Sequence, residues 1–235
     1  MESDKPYKIF FVGECAATID FGNVIDEKIN GKVISLFNYL CQYPMPGMIE
    51  AVPAYSSITI YFDFSFLRKR IPAEQKVYEY ISSELQQLMR NDLAESNYEK
   101  NLVRIPVCYD KEFALDLEWM TEQKNIPSEE IIHLHCSKQY RVYMIGFLPG
   151  FAYMGQVDEQ IVISRKKQPQ PIFAGSVGIA GRQTGIYPLN SPGGWQIIGR
   201  TPLKMFNKNK EQLCFLKAGD YVEFYPITKD EFENY

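Results

Sequence analysis

The sequence predicts an α+β protein made of two domains. In the first hundred residues, short strand-like runs alternate with two long amphipathic helix patterns. From Tyr140 onward, the strand-like runs are short and are broken by Gly and Pro, which is typical of a closed barrel or a sandwich. A polar, turn-rich stretch over residues 91–101 predicts a linker between them. We therefore place the domains at residues 1–95 and 96–235.

The first domain begins with two strand-like runs, residues 7–12 and 17–21, which Gly13 separates. Residues 26–40 then place apolar side chains at spacings of three and four, which indicates one face of a helix. The elements that follow, in chain order, are strands over 49–53 and 57–62, a helix over 73–90 and a strand over 102–108. This order matches a ferredoxin-like split βαβ arrangement, so we expect a ferredoxin-like α/β domain.

The second domain begins with two short helices, predicted over residues 114–123 and 128–136. Ser128 is a suitable N-cap, and Glu129 and Glu130 fall in the first turn, where the helix dipole favours acidic side chains. The strand-like runs that follow are residues 140–145, 161–163, 175–179, 195–198 and 221–225. Their number and shortness predict the barrel or sandwich.

Charge and cysteine content exclude several classes of protein. The net charge is −4 and the charges are interspersed, so we expect no nucleic-acid or anionic-membrane partner. The apolar stretch near the N-terminus, residues 9–12, is too short for a secretion signal or a membrane span. The five cysteines form no CxxC pair and are odd in number. We expect reduced, mostly buried thiols in a cytoplasmic protein.

Glycine is concentrated in three segments, residues 146–155, 174–188 and 191–202. Such density favours either a pocket lined by backbone N–H groups or the tight corners of a small barrel. Polar groups inside this glycine frame favour the pocket, since an amide, a hydroxyl, an indole and a guanidinium can hold a small carboxylate or amide. These groups belong to Gln183, Thr184, Trp195 and Arg200. No phosphate-loop lysine, GxSxG or HExxH pattern accompanies them.

The two histidines, His133 and His135, lie two residues apart on a predicted helix and so point to different faces. A two-histidine metal site is therefore not expected, and each histidine acts either as a general base or as a capping or packing residue. The basic run over residues 165–167 either guides an anion or ends a solvated strand.

Three aromatic residues, Phe147, Phe151 and Tyr153, surround the dipeptide Pro149–Gly150. Core packing is the usual role of such residues. An exposed subset of them would serve instead as an interface anchor. Both roles remain open at this point.

Long motifs in a fixed order cover nearly the whole chain. In sequence letters they are PVCY at residues 106–109, YRVY at 140–143, GFLPGFAY at 146–153, GSV at 175–177, QTGIYP at 183–188, SPGGW at 191–195 and GRTP at 199–202. They resemble the family that contains the B-type subunit of 5-oxoprolinase, allophanate hydrolase subunit 1 and the Kip kinase inhibitor. The segment from Gly47 to Tyr55 resembles the family too.

The resemblance implies a C-terminal cyclophilin-like β-barrel and two partners. These are a larger cyclophilin-like protein, the C-type subunit of 5-oxoprolinase, and a lactam-utilisation protein, its A-type subunit. The implied complex converts 5-oxoproline, ATP and water to glutamate, ADP and phosphate, and this chain alone is expected to be inactive. Two alternatives from the same family are a non-catalytic inhibitor of a sensor histidine kinase and a carboxyltransferase subunit of the allophanate hydrolase or urea carboxylase type.

We expect the glycine segments and the second helix of the barrel domain to supply the site. The expected catalytic residues are His135 and Arg200. The expected substrate-binding residues are Pro149, Gly150, Arg165, Gln183, Thr184, Tyr187, Gly194 and Trp195. The sequence departs from the family pattern at Gln170, where an arginine is usual. If the family's arginines hold an anionic group, this protein would hold it less tightly or differently.

Overall fold

The computed structural model describes residues 6–90 and 101–235. The chain divides into two compact units, Met1–Glu99 and Lys100–Tyr235. The predicted linker lies outside the described residues, apart from Asn101. The domain boundary predicted between residues 95 and 96 lies in the same segment and stays a prediction.

The first unit is a four-stranded antiparallel sheet with helices. Its strands are β1 (Lys8–Phe11), β2 (Ala16–Asp20), β3 (Met48–Pro53) and β4 (Ser57–Phe62), and its helices are α1 (Glu27–Gln42), α2 (Phe64–Arg70) and α3 (Val77–Leu88). The sheet order is β1-β2-β4-β3. Helix α1 begins one residue after the predicted start, because Asp26 is its cap and the Asp26 carboxylate accepts a hydrogen bond from the N–H of Ile29. Helix α2 was not predicted from the sequence, because its seven residues are too few to show a helical period.

The predicted last strand of this unit belongs elsewhere. Residues Leu102–Cys108 form β5, which pairs in parallel with β13 (Tyr221–Ile227) in the second unit. In the first unit, the edge position beside β2 is taken by β1. The expected order with a closing C-terminal strand is therefore wrong, because apolar alternation identifies a strand but does not identify its partner.

The second unit is built around a closed barrel, as its many short strands predict. Its further strands are β6 (Gln139–Ile145), β7 (Ala152–Gly155), β8 (Gln170–Ile172), β9 (Ser176–Ala180), β10 (Gln183–Ile186), β11 (Ser191–Gly193) and β12 (Gln196–Arg200). The barrel closes in the order β10-β7-β6-β13-β5-β12-β9, and β8 pairs with β11 in a separate ribbon. The helices are α4 (Leu117–Lys124), α5 (Ser128–Cys136) and α6 (Lys229–Glu233).

Two local predictions in this unit are wrong. The run over residues 161–163 is not a strand, because Glu159–Ile161 forms a short 3-10 helix and Ile163 makes only an isolated bridge. Ser128 is the first residue of α5 rather than its cap. Pro127 occupies the cap position, and no side chain caps this helix.

The cysteines are reduced but not mostly buried. All five are free, and only Cys108 is buried, whereas Cys15 and Cys41 are exposed. In the described part of the chain, no helix is both long enough and apolar enough to span a membrane.

The inside of the barrel is filled by packed side chains. Ala152, Met154, Val177 and Ile179 all belong to this core. Because successive residues of a strand point to opposite faces, the residues next to them in sequence point out of the barrel. Phe151 belongs to a second, smaller cluster on that outer face. A binding site on these strands must therefore lie on the outer face.

Candidate functional site

A cavity of about 710 Å³ lies on the outer face of the barrel, between β7, β10 and the β8–β11 ribbon. Its size falls within the usual range of small-molecule sites. The residues that line it are Phe147, Phe151, Tyr153, Ser164, Arg165, Pro169, Ala180, Gly181, Gln183, Tyr187, Pro192, Gly193, Gly194 and Trp195.

Aromatic side chains form the walls of this cavity around Phe151. The ring of Phe151 lies edge-on to Tyr153, Tyr187 and Trp195, with centroid distances of 4.8, 5.2 and 5.4 Å. The ring of Phe147 lies 5.6 Å from Phe151 but is 62% exposed. Edge-to-face packing of this kind fixes ring orientation. The walls are therefore formed by rings packed against one another, with one exposed ring at the mouth.

Glycines let Trp195 approach the barrel wall closely. A Cβ atom on Gly185 would lie 3.1 Å from Cζ3 of Trp195 and 3.0 Å from Cζ of Phe151. A Cβ atom on Gly178 would lie 3.1 Å from Cβ of Trp195. Glycine is therefore required here by the contact with the indole, so the barrel packing and the cavity wall depend on the same glycines.

The cation in the cavity is Arg165. Its guanidinium lies against the backbone of Gly194, since a Cβ atom there would be 3.2 Å from Nη2 and 3.3 Å from Nε. Among the described residues that line the cavity, Arg165 is the only one with a charged side chain. Two roles were considered for the basic run over residues 165–167: guidance of an anion, and the end of a solvated strand. The position of Arg165 favours guidance of an anion.

Two phenol groups beside Arg165 remain neutral. Burial raises the pKa of Tyr187, and the backbone N–H groups of Trp195 and Gly194, together with Arg165, oppose this only partly. Burial likewise raises the pKa of Tyr153, although Arg165 lowers it. Both hydroxyls therefore serve as hydrogen-bonding groups, not as anions, near neutral pH.

The neighbouring Lys166 holds the Arg165 segment in place. Its ammonium lies 2.7 Å from Oδ2 of Asp116, and its backbone N–H donates to the carbonyl of Gly194 at 2.6 Å. Lys166 was considered only as part of the basic run over residues 165–167, and Asp116 was not expected to take part in the site. An aspartate just before a helix is ordinarily a cap, and only the tertiary structure brings it to the loop that carries Arg165.

Half of the expected site residues line this cavity and half do not. Those that line it are Arg165, Gln183, Tyr187, Gly194 and Trp195. The others are Pro149, Gly150, Thr184, His135 and Arg200. The expectation that Thr184 and Arg200 share a cleft with Gln183 and Trp195 is therefore wrong.

His135 and Thr184 lie inside the barrel, where both are fully buried. Nε2 of His135 is 3.0 Å from Oγ1 of Thr184, and Nδ1 is 2.9 Å from the hydroxyl of Tyr109. Burial lowers the pKa of His135 to about 3. Because both ring nitrogens are engaged and the cavity is on the other face, His135 has no access to a substrate there.

Arg200 lies away from the cavity lining and is held by other contacts. Its Nε donates to the carbonyl of Ala174 at 2.9 Å. Its guanidinium carbon lies 5.5 to 6.0 Å from the ring centres of Phe113, Phe173 and Phe232. These cation–π contacts give it a packing role.

Gly150 supports the loop that carries the cavity aromatics. Its φ is +84°, and a Cβ atom would lie 2.8 Å from the carbonyl oxygen of Met205. This position therefore requires glycine for backbone reasons, not for contact with a ligand. Pro149, beside it, is likewise not among the lining residues.

Gln170, where the family resemblance predicts an arginine, is exposed and lies outside the cavity lining. Its Oε1 accepts a hydrogen bond of 3.2 Å from Nζ of Lys166. An amide at this position avoids a second cation beside Lys166. Arg165 therefore remains as the charged group of the cavity.

The arrangement suits a small, flat molecule with one carboxylate. The aromatic rings offer apolar contact, Arg165 offers a fork of donors, and the Gln183 side chain lies in the lining. In the described part of the chain, no group of three or more His, Cys, Asp or Glu residues is placed to hold a metal ion.

Comparisons with known proteins agree with this architecture. Residues 7–216 match the family model described as carboxyltransferase domain, subdomain C and D. The chain is 38% identical over 231 residues to the B-type subunit of 5-oxoprolinase from Bacillus subtilis, covering 97% of this chain and 96% of the relative. It is 21% identical over 259 residues to the urea amidolyase of Lachancea kluyveri, but spans only 13% of that relative.

Among solved structures, the crystal structure of TTHA0988 superimposes with a TM-score of 0.77 at 31% identity over 90% of this chain. This chain spans 40% of the chain in that structure. The resemblance seen in the motifs is thereby confirmed. The chain belongs to the family of the carboxyltransferase domain, subdomain C and D, and is a relative of proteins named as the B-type subunit of 5-oxoprolinase.

Proposed function

We propose that this protein is part of an ATP-dependent 5-oxoprolinase complex that hydrolyses 5-oxo-L-proline to L-glutamate. The relative from Bacillus subtilis, which is named as a 5-oxoprolinase subunit, matches it along nearly its whole length. The single observation that carries the proposal is the position of Arg165 in a cavity with aromatic walls. That combination suits a small ring with one carboxylate.

In the proposed mode of binding, the guanidinium of Arg165 pairs with the carboxylate of 5-oxoproline. Such a pair is charge-assisted and bidentate, so it orients the ring as well as holding it. The faces of Trp195 and Tyr153 pack against the lactam ring, and the Gln183 amide is in reach of a polar edge. This chain would bind and orient the lactam, while partner subunits complete the reaction.

ATP is the co-substrate of the proposed complex. The triphosphate of ATP carries several negative charges, whereas Arg165 is the only charged side chain among the described residues that line the cavity. The cavity therefore suits a monocarboxylate better than a nucleotide, and we assign the ATP site to another part of the complex. The proposed partners are a larger cyclophilin-like protein and a lactam-utilisation protein. We also propose that the complex is cytoplasmic and that this chain alone is inactive.

The test is co-expression with the products of the adjacent genes, followed by an assay for glutamate released from 5-oxoproline and ATP. Glutamate formation by the complete complex, and none by this chain alone, would support the proposal. The Arg165→Gln complex should assemble normally and form glutamate more slowly. A complex that assembles but releases no glutamate would refute the proposal.

The family description names a carboxyltransferase domain. It favours one alternative, a carboxyltransferase subunit of the allophanate hydrolase or urea carboxylase type. The relation to urea amidolyase rests on 21% identity, and the chain spans a small part of that protein. The same co-expressed complex can be assayed with allophanate in place of 5-oxoproline. Turnover of allophanate, with no turnover of 5-oxoproline, would favour this alternative. We keep inhibition of a sensor kinase only as an outcome to check if neither compound reacts.

A further inference from the structure

A chain of hydrogen bonds crosses the inside of the barrel behind the cavity. It runs from Sγ of Cys136 to the hydroxyl of Tyr109 (3.3 Å), and from there to Nδ1 of His135 (2.9 Å). It continues from Nε2 of His135 to Oγ1 of Thr184 (3.0 Å), and then to the carbonyl of Gly178 (3.1 Å). Apart from Cys136, its members are buried. The proposed function uses none of these contacts.

The last acceptor fixes the direction of every bond in this chain. A carbonyl can only accept, so the single hydroxyl proton of Thr184 goes to Gly178. Thr184 must then accept from His135, which places the imidazole proton on Nε2. The neutral ring accepts at Nδ1, so the Tyr109 hydroxyl donates to it and accepts in turn from the thiol of Cys136.

The imidazole is surrounded by neutral groups. Its neighbours are the ring of Phe224, stacked at a centroid distance of 4.6 Å, and the phenols of Tyr109 and Tyr140. The thiol of Cys136 lies behind Tyr109. No carboxylate or ammonium group in the described part of the chain is paired with His135, so its neutral form is the one that fits.

The far end of the chain lies directly behind the cavity. Thr184 points into the barrel, so its neighbour Gln183 points to the outer face, where it lines the cavity. Gly178 and Gly185 are the two glycines against which Trp195 packs. A hydrogen bond that holds Thr184 and Gly178 from inside therefore also holds the wall on which the indole rests.

We propose that His135 is a positioning residue, which through Thr184 holds β10 in the place that aligns Gln183 and Trp195 for binding. This inference rests on the proposed function only where it concerns the lactam. The position of Trp195 and the tautomer of His135 can be measured without any turnover.

The first experiment is nuclear magnetic resonance of the 15N-labelled full chain. In the His133→Gln variant, His135 is the only histidine, so its ring signals need no further assignment. We expect the tautomer protonated at Nε2, unchanged between about pH 5 and pH 8. A ring protonated at Nδ1, or one that becomes charged in this interval, would overturn the proposal.

The second experiment compares Thr184→Val, which keeps the shape but removes the acceptor, with Thr184→Ser, which keeps the hydroxyl. In a Trp119→Phe background Trp195 is the only tryptophan, so its emission reports on the cavity wall. We expect the emission to shift in Thr184→Val and to stay as in the parent in Thr184→Ser. In the assembled complex, Thr184→Val should raise KM for 5-oxoproline about fivefold and leave kcat within about twofold.

A failure of the proposed function and a failure of the positioning role of His135 give different results. If the unaltered complex does not turn over 5-oxoproline, the proposed function fails, but the ring tautomer and the Trp195 emission still decide this inference. A folded Thr184→Val protein with unchanged Trp195 emission would show that His135 only packs the core. If Thr184→Val does not fold, Tyr109→Phe is used instead. It removes the hydrogen bond to Nδ1 of His135 and must give the same shift in Trp195 emission.

Discussion

The ammonium of Lys166 lies 2.7 Å from Oδ2 of Asp116, and only 10% of the lysine side chain and 16% of the aspartate side chain are exposed. The same oxygen accepts the backbone N–H of Ile197 at 2.7 Å. One carboxylate thus joins the loop that carries Arg165 to strand β12. A largely buried ion pair of this kind contributes chiefly by fixing a geometry. Here it fixes the position of Arg165 in the cavity.

Removal of the Asp116 carboxylate should therefore destabilise the protein more than an exposed pair nearby would. We expect Asp116→Ala to lower the free energy of unfolding by about 3 kcal/mol, because it removes the anion paired with the Lys166 ammonium and leaves the Ile197 N–H without this acceptor. Glu118→Ala breaks an exposed pair with Lys111 and should cost less than about 1 kcal/mol. Urea denaturation of both variants measures the difference. Equal losses would contradict a positioning role for Asp116.

The charge of Arg165 should determine the affinity for the lactam. Loss of a charge-assisted pair in Arg165→Gln should raise KM for 5-oxoproline about tenfold, with a smaller change in kcat. Arg165→Lys should raise KM less than Arg165→Gln does but should not restore the original value, since lysine keeps the charge and lacks the bidentate fork. The matched control is Lys167→Gln, which removes the same charge from an exposed residue outside the lining. If Arg165→Gln and Lys167→Gln raise KM to a similar extent, a local contact between Arg165 and the lactam carboxylate is refuted.

The buried imidazole of His135 should make stability depend on pH. Its pKa is about 3 in the folded protein and about 6.5 in an unfolded chain, so below pH 6.5 the unfolded state takes up a proton that the folded state does not. Stability is thus fully present above pH 6.5 and falls by about 1.4 kcal/mol per unit down to about pH 3.

Chemical denaturation at pH 7.5 and pH 5 measures this dependence, with an expected loss of about 2 kcal/mol from His135. In His135→Gln that part of the pH dependence should vanish. His133→Gln, on the exposed face of the same helix, should retain it. Retention of the full pH dependence in His135→Gln would contradict the neutral, buried state.

Gly150 should tolerate no side chain, although it does not line the cavity. Gly150→Ala places a Cβ atom 2.8 Å from the carbonyl oxygen of Met205 at a φ of +84° and should cost at least about 3 kcal/mol of stability. Gly181→Ala shares the positive φ, at +58°, but its Cβ atom meets open space, so about 1 kcal/mol is expected. Thermal denaturation of the two variants separates the steric contribution from the backbone contribution. Equal shifts would show that the close approach to Met205 is unimportant.

Arg200 should affect stability and not lactam binding. Arg200→Ala removes the hydrogen bond to Ala174 and the contacts with three phenylalanine rings, so we expect a loss of about 1–2 kcal/mol in the free energy of unfolding. Since Arg200 is not in the cavity lining, KM for 5-oxoproline in the assembled complex should stay within about twofold. A tenfold rise in KM without a change in assembly would restore Arg200 to the binding site.

Local pattern was enough to place most helices and strands. Helix α5 and strand β4 have the predicted bounds, because apolar side chains there recur with the period of the element. The pattern failed for β5, whose bounds were predicted correctly but whose partner β13 is more than a hundred residues away. Pairing across such a distance depends on the whole barrel, and no local signal contains it.

The sequence by itself determined the family, the barrel and five of the residues that line the cavity. Residue types and their order were sufficient for that, since motifs such as SPGGW at residues 191–195 are linear. Only the tertiary structure decided which of them meet. In the motif that begins at Gln183, alternation along β10 turns Gln183 to the cavity and Thr184 to the core, and barrel closure decides which face is inside. Residue chemistry and the family motifs had grouped His135, Thr184 and Arg200 with a site whose lining includes none of them.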